Sequence, residues 1–222
     1  MLQIQHFSFN ILGTNCYVLH GAATGRCVVV DPGMYRDFEY DSFFGYLSEK
    51  GLEPEAILLT HAHFDHVWGV SAILRRFPLC PVYLHPADDP VLLSGEASIR
   101  SLGLKNPLSL FPWQAVADGD SLTLAGFCWE VIATPGHTPG GVCWWCADER
   151  LLLSGDTLFA GTIGRSDLPG GDYDDLIRSI LERLMVLPSD TQVLPGHGHP
   201  TSIGRESMTN PFLLPFNEPD LT

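Results

Sequence analysis

The sequence is poor in basic residues. Its 222 residues contain 12 Lys and Arg against 26 Asp and Glu, which gives a formal net charge of −14. No block of five basic residues occurs, and nucleic-acid binding depends on basic clusters that displace the counterions of the phosphate backbone. No apolar run approaches the roughly 18 residues that a membrane-spanning helix needs. We therefore expect neither nucleic acid nor membrane as a partner.

The sequence also lacks the marks of a secreted protein. Its first residues contain neither the basic segment nor the apolar core of a signal peptide, and its six cysteines are scattered. Cys143 and Cys146 form the closest pair, but they lie in a strand-like run, where residues three apart face opposite sides. We therefore predict reduced cysteines packed in strands and a cytoplasmic location. No Gly-x-Ser-x-Gly motif indicates a serine nucleophile.

The composition that remains, 45% hydrophobic and 17% charged residues, is typical of a folded globular protein. Apolar runs and turn residues predict strands at 4–9, 15–20, 26–31, 56–60, 81–85, 121–124, 128–133, 141–146, 151–154 and 191–194. Helical spacing of apolar residues predicts helices at 38–50, 65–77 and 173–187. The segment 86–113 is predicted to contain one or two short helices and a loop, and the tail after Pro200 to be irregular.

The two halves of the chain share one order of elements, in which strands are followed by a helix and then by a further strand. No Pro-, Gly- or Ser-rich linker separates them. Two facing sheets with helices outside would bury all of the apolar runs. We therefore predict that residues 1–222 form a single α/β domain.

Four candidate metal ligands fall within six residues: His61, His63, Asp65 and His66. His61 and His63 are two residues apart just past a predicted buried strand, so in extended chain they point the same way. The turn into the next helix can bring Asp65 and His66 towards the same place, aimed at a second position. Imidazole and carboxylate suit zinc, iron or manganese. One metal ion cannot easily use all four groups, whereas two adjacent ions can.

Three further candidates lie far downstream, each at the end of a β-rich run: His137, Asp156 and His197. Glycine flanks each of them and allows the sharp turn that points a side chain out of a strand end. The seven residues together predict a site for two divalent metal ions, zinc first, with iron and manganese as alternatives. Such a pair, ~3.5–4 Å apart, lowers the pKa of bound water to about 7 and polarises a carbonyl.

This pattern resembles the metallo-β-lactamase superfamily and, within it, the glyoxalase II (hydroxyacylglutathione hydrolase) group. The matching segments are His61-Ala62-His63-Phe64-Asp65-His66, His137-Thr138-Pro139-Gly140, Gly155-Asp156-Thr157-Leu158-Phe159 and Pro195-Gly196-His197-Gly198. The resemblance implies a four-layer αββα sandwich with the metals at one edge. It also implies roles for the ligands: His61, His63 and His137 at one metal, Asp65, His66 and His197 at the other, and Asp156 as the bridge.

The resemblance extends past the bridging aspartate, where Gly164-Arg165-Ser166-Asp167 is similar to the corresponding segment of glyoxalase II and its relatives. We predict that Arg165 and Asp167 face the substrate or support the metal ligands, with a salt-bridged surface loop as the alternative. Only 25 residues follow His197. The resemblance is therefore to a short form of the group that lacks the C-terminal helical region which helps to hold glutathione.

The resemblance implies hydrolysis of a thioester such as S-lactoylglutathione by a metal-bridging hydroxide. A small acyl-thiol would be the substrate, and Asp65 and Asp156 would be the carboxylates that take part in catalysis. A mononuclear iron persulfide dioxygenase of the same fold is the alternative, and it differs in metal count. The acidity disfavours a phosphodiesterase, and the missing signal peptide disfavours a secreted lactamase. A binding module without catalysis would have no reason to keep all seven ligands.

Overall fold

The β-rich opening of the sequence forms the first sheet. The computed structural model describes residues 1–22 and 25–216. The sheet has six strands in chain order: β1 (Leu2–Phe9), β2 (Thr14–Gly21), β3 (Arg26–Val30), β4 (Glu53–Leu58), β5 (Val82–Leu84) and β6 (Gln114–Ala115). β1, β2 and β3 pair antiparallel, whereas β3 to β6 pair parallel. The carboxyl ends of β3 and β4 therefore lie at the same edge.

The second half of the chain forms the second sheet. Its strands are β7 (Ser121–Leu124), β8 (Phe127–Ala133), β9 (Val142–Cys146), β10 (Leu151–Gly155), β13 (Gln192–Pro195) and β14 (Thr201–Ser202). They lie in the order β14-β13-β10-β9-β8-β7, and only the β10–β13 pair is parallel among these neighbours. A short hairpin, β11 (Leu158–Phe159) with β12 (Thr162–Ile163), follows β10.

The helices cover the outer faces of the two sheets. They are α1 (Asp37–Lys50), α2 (Phe64–Val67), α3 (Val70–Arg76), α4 (Asp89–Ser101), α5 (Tyr173–Ser179) and α6 (Ile203–Thr209). Successive side chains of a strand face opposite sides of the sheet, so they pack in different parts of the core. In β3, Val29 packs in the cluster that includes residues of α1, α3 and α4, whereas Val28 packs with Trp144 between the two sheets. Cys143 faces the α5 side and Cys146 the inter-sheet core. The predicted αββα sandwich is confirmed, as is the opposite facing of the two cysteines.

The sequence predicts one continuous helix at 65–77, but the structure has two short helices there, so the prediction of a continuous helix was wrong. α2 ends at Val67 and α3 begins at Val70. At the break, the Gly69 N–H donates to the carbonyl of Pro32 at 2.7 Å instead of continuing the helix. A Cβ at Gly69 would lie 2.4 Å from Met34 Sδ, so only glycine allows this close approach. The interruption separates the ligand-bearing turn of α2 from the core-packing helix α3.

The predicted helix at 173–187 and the predicted irregular tail also differ from the structure. α5 ends at Ser179 and continues as a π-helical turn over Ile180–Leu184. The tail contains β14 and α6, so the prediction of irregular structure was wrong. Its anchor is the buried Glu206, which accepts hydrogen bonds from Thr201 Oγ1 at 2.5 Å and from Gly161 N–H at 2.8 Å. Residues 217–222 of the tail lie outside the described residues.

Across the described ranges 1–22 and 25–216, every helix is too short or too polar to cross a membrane.

Candidate metal centre

The turn after β4 carries four of the candidate ligands. Thr60 fixes its start, because Asp31 accepts hydrogen bonds from the Thr60 N–H at 2.9 Å and from its Oγ1 at 2.6 Å. His63 has extended backbone angles and α2 begins directly after it. The chain is therefore extended through His61 and His63 and helical at Asp65, as the sequence predicts. The same turn presents two pairs of ligands in two directions.

The other three candidates come from the second sheet. His137 lies in the turn between β8 and β9, Asp156 follows β10, and His197 follows β13. Because β10 and β13 are parallel neighbours, their ends lie side by side at one edge. Gly196 makes this approach close, since a Cβ there would lie 2.2 Å from Asp156 Oδ1. The structure thus brings all seven predicted residues together where the two sheets meet.

The first group of candidate ligands consists of His61, His63 and His137, whose ligand atoms lie within 4.8 Å of one another. His63 Nδ1 and His137 Nε2 are 2.9 Å apart. His61 is buried, and its Nε2 has no hydrogen-bond partner among the described residues. Three imidazole nitrogens that converge in this way are a ligand set for a metal such as zinc.

The second group consists of Asp65, His66 and His197, again with ligand atoms within 4.8 Å. His66 Nε2 lies 3.3 Å from His197 Nε2 and 3.5 Å from Asp65 Oδ2. His197 Nε2 lies 3.4 Å from Asp65 Oδ2. This group therefore combines two imidazoles with a carboxylate.

Asp156 lies between the two groups. Its Oδ2 is 3.6 Å from His137 Nε2 of the first group and 3.5 Å from His197 Nε2 of the second. Its Oδ1 is 3.4 Å from His66 Nε2, yet this buried atom makes no hydrogen bond within the described part of the chain. An unpaired buried carboxylate oxygen is costly unless a cation compensates it. The orphaned oxygen and the orphaned His61 nitrogen fit a site that holds divalent metal ions.

Backbone carbonyls orient one imidazole in each group. The Nδ1 of His137 donates to the carbonyl of Arg165 at 2.7 Å, and the Nδ1 of His197 to that of Leu12 at 3.2 Å. A neutral imidazole whose Nδ1 carries the proton has a bare Nε2, and this is the tautomer that a metal bound at Nε2 requires.

Side chains orient two members of the second group. The Nδ1 of His66 donates to Asp31 Oδ2 at 2.9 Å, and the Thr14 hydroxyl donates to Asp65 Oδ2 at 2.7 Å. The sequence analysis did not assign Asp31 or Thr14 to the site. The available signal for Asp31 was its place directly after the strand that lies parallel to the one preceding His61, because the ends of such strands share an edge.

The two groups differ in how they hold positive charge. Burial lowers the pKa of His61 well below its ordinary value, and burial with the neighbouring imidazole charge lowers that of His63 to about 4. Burial also acts to lower the pKa of His66, but Asp65 and the other nearby carboxylates outweigh it and raise that pKa well above its ordinary value. The second group therefore attracts cationic charge, whereas burial in the first group favours the neutral imidazoles of His61 and His63.

Asp88 is a third residue that the sequence analysis missed. It is fully buried and accepts hydrogen bonds from the Ala62 N–H at 2.8 Å, the Gly140 N–H at 2.6 Å and the Thr138 hydroxyl at 3.0 Å. Its carboxylate thus ties the turn of the first two histidines to the turn of His137. No local pattern indicated this role, because all three partners are distant in sequence.

Arg165 and Asp167, predicted to face the substrate or to support the ligands, form an exposed ion pair. Arg165 Nε and Nη2 each donate to a different Asp167 oxygen at 2.8 Å. The contact of Arg165 with the ligands is made by its backbone carbonyl to His137, and not by its side chain. The ion pair matches the alternative that the sequence left open, but Arg165 also lines the cavity beside the ligands, so a role of the two residues toward the substrate stays a prediction.

The sequence model of the metallo-β-lactamase superfamily matches residues 10–197, a range that includes every candidate ligand. The chain belongs to the metallo-β-lactamase superfamily. As a member, it is a metallo-hydrolase with a fold that binds divalent metal ions. The superfamily and the fold expected from the sequence are confirmed, whereas membership of the glyoxalase II group within it stays a prediction.

The names of similar proteins range from an uncharacterized protein to a hydrolase with a stated substrate. This superfamily member is 43% identical to the uncharacterized protein ML0493 of Mycobacterium leprae, over 95% of this chain and 98% of that protein. It is 40% identical to the probable metallo-hydrolase YqgX of Bacillus subtilis, over 91% and 93%. It is 35% identical to the hydroxyacylglutathione hydrolase GloC of Haemophilus influenzae, over 85% and 87%.

Solved structures of the superfamily resemble the whole chain. TTHA1623 in a di-iron-bound form superimposes with a TM-score of 0.84 at 38% identity and covers 94% of this chain and 100% of its own. The BLEG-1 B3 metallo-β-lactamase gives 0.83 at 39%, covering 95% and 99%. ETHE1 from Myxococcus xanthus gives 0.75 at 24%, covering 98% and 92%, and shares the fold alone.

Proposed function

We propose that this protein hydrolyses a thioester, such as S-lactoylglutathione, with two divalent metal ions. Zinc is the metal proposed, with iron and manganese as alternatives. The observation that carries the proposal is the carboxylate of Asp156 lying between two groups of three candidate ligands. The similarity to GloC supports an acyl-thiol as the small-molecule substrate. A cytoplasmic location stays a prediction from the sequence.

In this proposal each group of three ligands would hold one metal ion, and the carboxylate of Asp156 would serve both. When bound, such a pair supplies a water that loses its proton near neutral pH and a Lewis acid for the carbonyl. The residues of the chain hold the ligands in place, since His137 and His66 donate their Nδ1 protons outward and keep Nε2 free. Asp65 and Asp156 offset part of the metal charge and leave a net positive site, which favours an anionic transition state.

The alternative, a mononuclear iron persulfide dioxygenase, requires one metal per chain. The complete second group, with Asp65, His66 and His197 converging within 4.8 Å, favours two. The test is elemental analysis of the purified protein together with turnover assays on S-lactoylglutathione and on a persulfide. We expect two metal ions per chain and hydrolysis of the thioester. One iron per chain with oxygen consumption on the persulfide would overturn the proposal.

A further inference from the structure

A groove of about 970 Å³ lies beside the candidate metal centre. Its lining includes His63, Asp65, Asp156 and His197, so it reaches both groups of ligands. Sites for small organic molecules have volumes of about 300–1,000 Å³. The groove, which we call the α4 groove, is therefore larger than a lactoyl group needs and has room for a remote part of the substrate.

One wall of the α4 groove is a face of α4 that carries small side chains. Ser94, Ala97, Ser98 and Ser101 all line it. They stand at positions i, i+3, i+4 and i+7, so they share one side of the helix. The opposite side of α4 is buried in the core, which fixes the helix in place. The small residues keep the groove wide and offer it no charged group.

A second wall of the α4 groove is apolar. Phe159 and Ile163 of the β11–β12 hairpin contribute to it, together with Leu168 and Pro169 of the following loop. Ile163 is buried and Phe159 and Leu168 are half-buried, so they form a fixed surface. A ligand that covered this wall would be stabilised by removal of apolar surface from water, about 25 cal/mol per Å².

The α4 groove is poor in positive charge. Among the described residues that line it there is no lysine and a single arginine, Arg165. The guanidinium of Arg165 is already paired with Asp167 through two hydrogen bonds of 2.8 Å. Glutathione carries two carboxylates, and the groove offers them no unpaired cation. The net charge of −14 further disfavours an anionic ligand.

We propose that the α4 groove binds the non-reacting part of an uncharged, mainly apolar thioester, in preference to the glutathione moiety of S-lactoylglutathione. This inference rests on the proposed thioester hydrolysis. The reaction at the metal centre is the same, but the preferred substrate belongs to a different class. S-lactoylglutathione is then hydrolysed with a high KM, because the metal centre performs the chemistry while the groove gives the tripeptide little binding energy.

The first experiment measures kcat/KM of the zinc-loaded protein on butyryl, hexanoyl and octanoyl thioesters of N-acetylcysteamine, a neutral thiol, and of glutathione. We expect kcat/KM to rise about two- to fourfold per methylene. We also expect each neutral thioester to exceed its glutathione counterpart. A parallel series with acetyl thioesters of alkyl thiols distinguishes an apolar acyl group from an apolar thiol as occupant. A flat dependence in both series, or a preference for glutathione, would overturn the proposal.

A variant pair on α4 ties this preference to the groove. Ala97→Phe places a ring in the groove, whereas Leu93→Phe adds the same kind of bulk at a position that is 59% exposed and outside the lining. We expect Ala97→Phe to reduce the gain from butyryl to octanoyl about tenfold, and Leu93→Phe to keep it. Equal effects of the two substitutions, or none from Ala97→Phe, would contradict the assignment.

Binding without turnover separates this inference from the proposed function. Calorimetry with non-hydrolysable S-alkyl thioethers of N-acetylcysteamine should show affinity that rises with chain length and a negative heat-capacity change. Ala97→Phe should weaken this binding, and Leu93→Phe should not. If the thioethers bind in this way but no thioester is hydrolysed, the proposed function is wrong and the apolar preference of the groove is supported. If thioesters are hydrolysed but thioether binding does not depend on chain length, the groove inference fails alone.

Discussion

The two groups of candidate ligands are built on the same turn but supported differently. In the first group, His137 is oriented by the backbone carbonyl of Arg165, which every residue type would supply at that position. In the second group, His66 is oriented by the side chain of Asp31, and Asp65 by the hydroxyl of Thr14. The orientation of His66 and Asp65 should therefore depend on particular side chains, whereas that of His137 should tolerate substitution at position 165.

The groups differ in charge as well as in support. In the first group, burial lowers the pKa of His61 well below its ordinary value and that of His63 to about 4. The second group contains a carboxylate and has Asp31 directly behind it. Two neighbouring metal positions with unequal surroundings should lose their ions under different substitutions.

Asp156→Asn should be the most damaging single substitution, because this carboxylate contacts both groups. Asparagine keeps the shape but removes the negative charge that offsets two cations. We expect both metal ions to bind more weakly and turnover to fall by about three orders of magnitude. Metal content by elemental analysis and thioester kinetics measure these effects. Asp190→Asn, at an exposed aspartate paired with Arg150, is the matched control. Two tightly bound metals with a near-normal rate would refute the bridging role.

Asp65→Ala should empty the second group and leave the first. The substitution removes the only carboxylate of that group and leaves His66 and His197 without it. We expect one metal ion per chain, a loss of turnover of about 100-fold or more, and unchanged secondary structure by circular dichroism. Unchanged turnover with a single metal would contradict the dinuclear mechanism and favour the dioxygenase. Loss of both metals would show that the groups are not separable.

Asp31→Asn tests whether side-chain support matters to the second group. Removing such a partner typically weakens metal binding about 10- to 100-fold, because the imidazole loses basicity and orientation. Asp31 has a positive φ of 48°, which asparagine tolerates, so the backbone should not change. Chelator competition should resolve two metal affinities in the wild type and show the larger weakening at the second group, because Asp31 contacts His66 directly but reaches the first group only through Thr60. Equal weakening of both would show that the supports are shared between the groups.

Much of the candidate site is predictable from sequence because each ligand follows a strand or opens a helix. His61 and His63 share a direction in extended chain, and the glycine beside Asp156 or His197 marks a strand-end turn. Alternating apolar residues likewise predict the layers, since Val28 and Val29 must face opposite cores. These are local patterns, and they determine which residues gather even before the sheets are placed.

The features that sequence reasoning missed all depend on distant partners. The break at Gly69 exists because Met34 and Pro32 occupy the space beside it. Asp88 joins two ligand turns through contacts that are 26 to 52 residues away in the chain. The helix α6 is anchored by the buried Glu206, whose partners include a backbone amide 45 residues earlier. A charged residue in an unpatterned segment gives no sign of such contacts until the fold is known.

Arg165→Leu should have the smallest effect and is the counterpart of Asp31→Asn. The carbonyl that orients His137 belongs to the backbone and is retained in leucine. The ion pair with Asp167 is exposed, and such pairs contribute little to stability. We therefore expect unchanged metal content and affinity, measured by the same chelator competition, and a KM for S-lactoylglutathione that rises only about two- to fivefold. Loss of metal from the first group would show that the Arg165 side chain supports it. In that case the contrast between backbone support and side-chain support would fail. Unchanged metal binding in Arg165→Leu, together with weaker binding of one metal ion in Asp31→Asn, would establish the contrast.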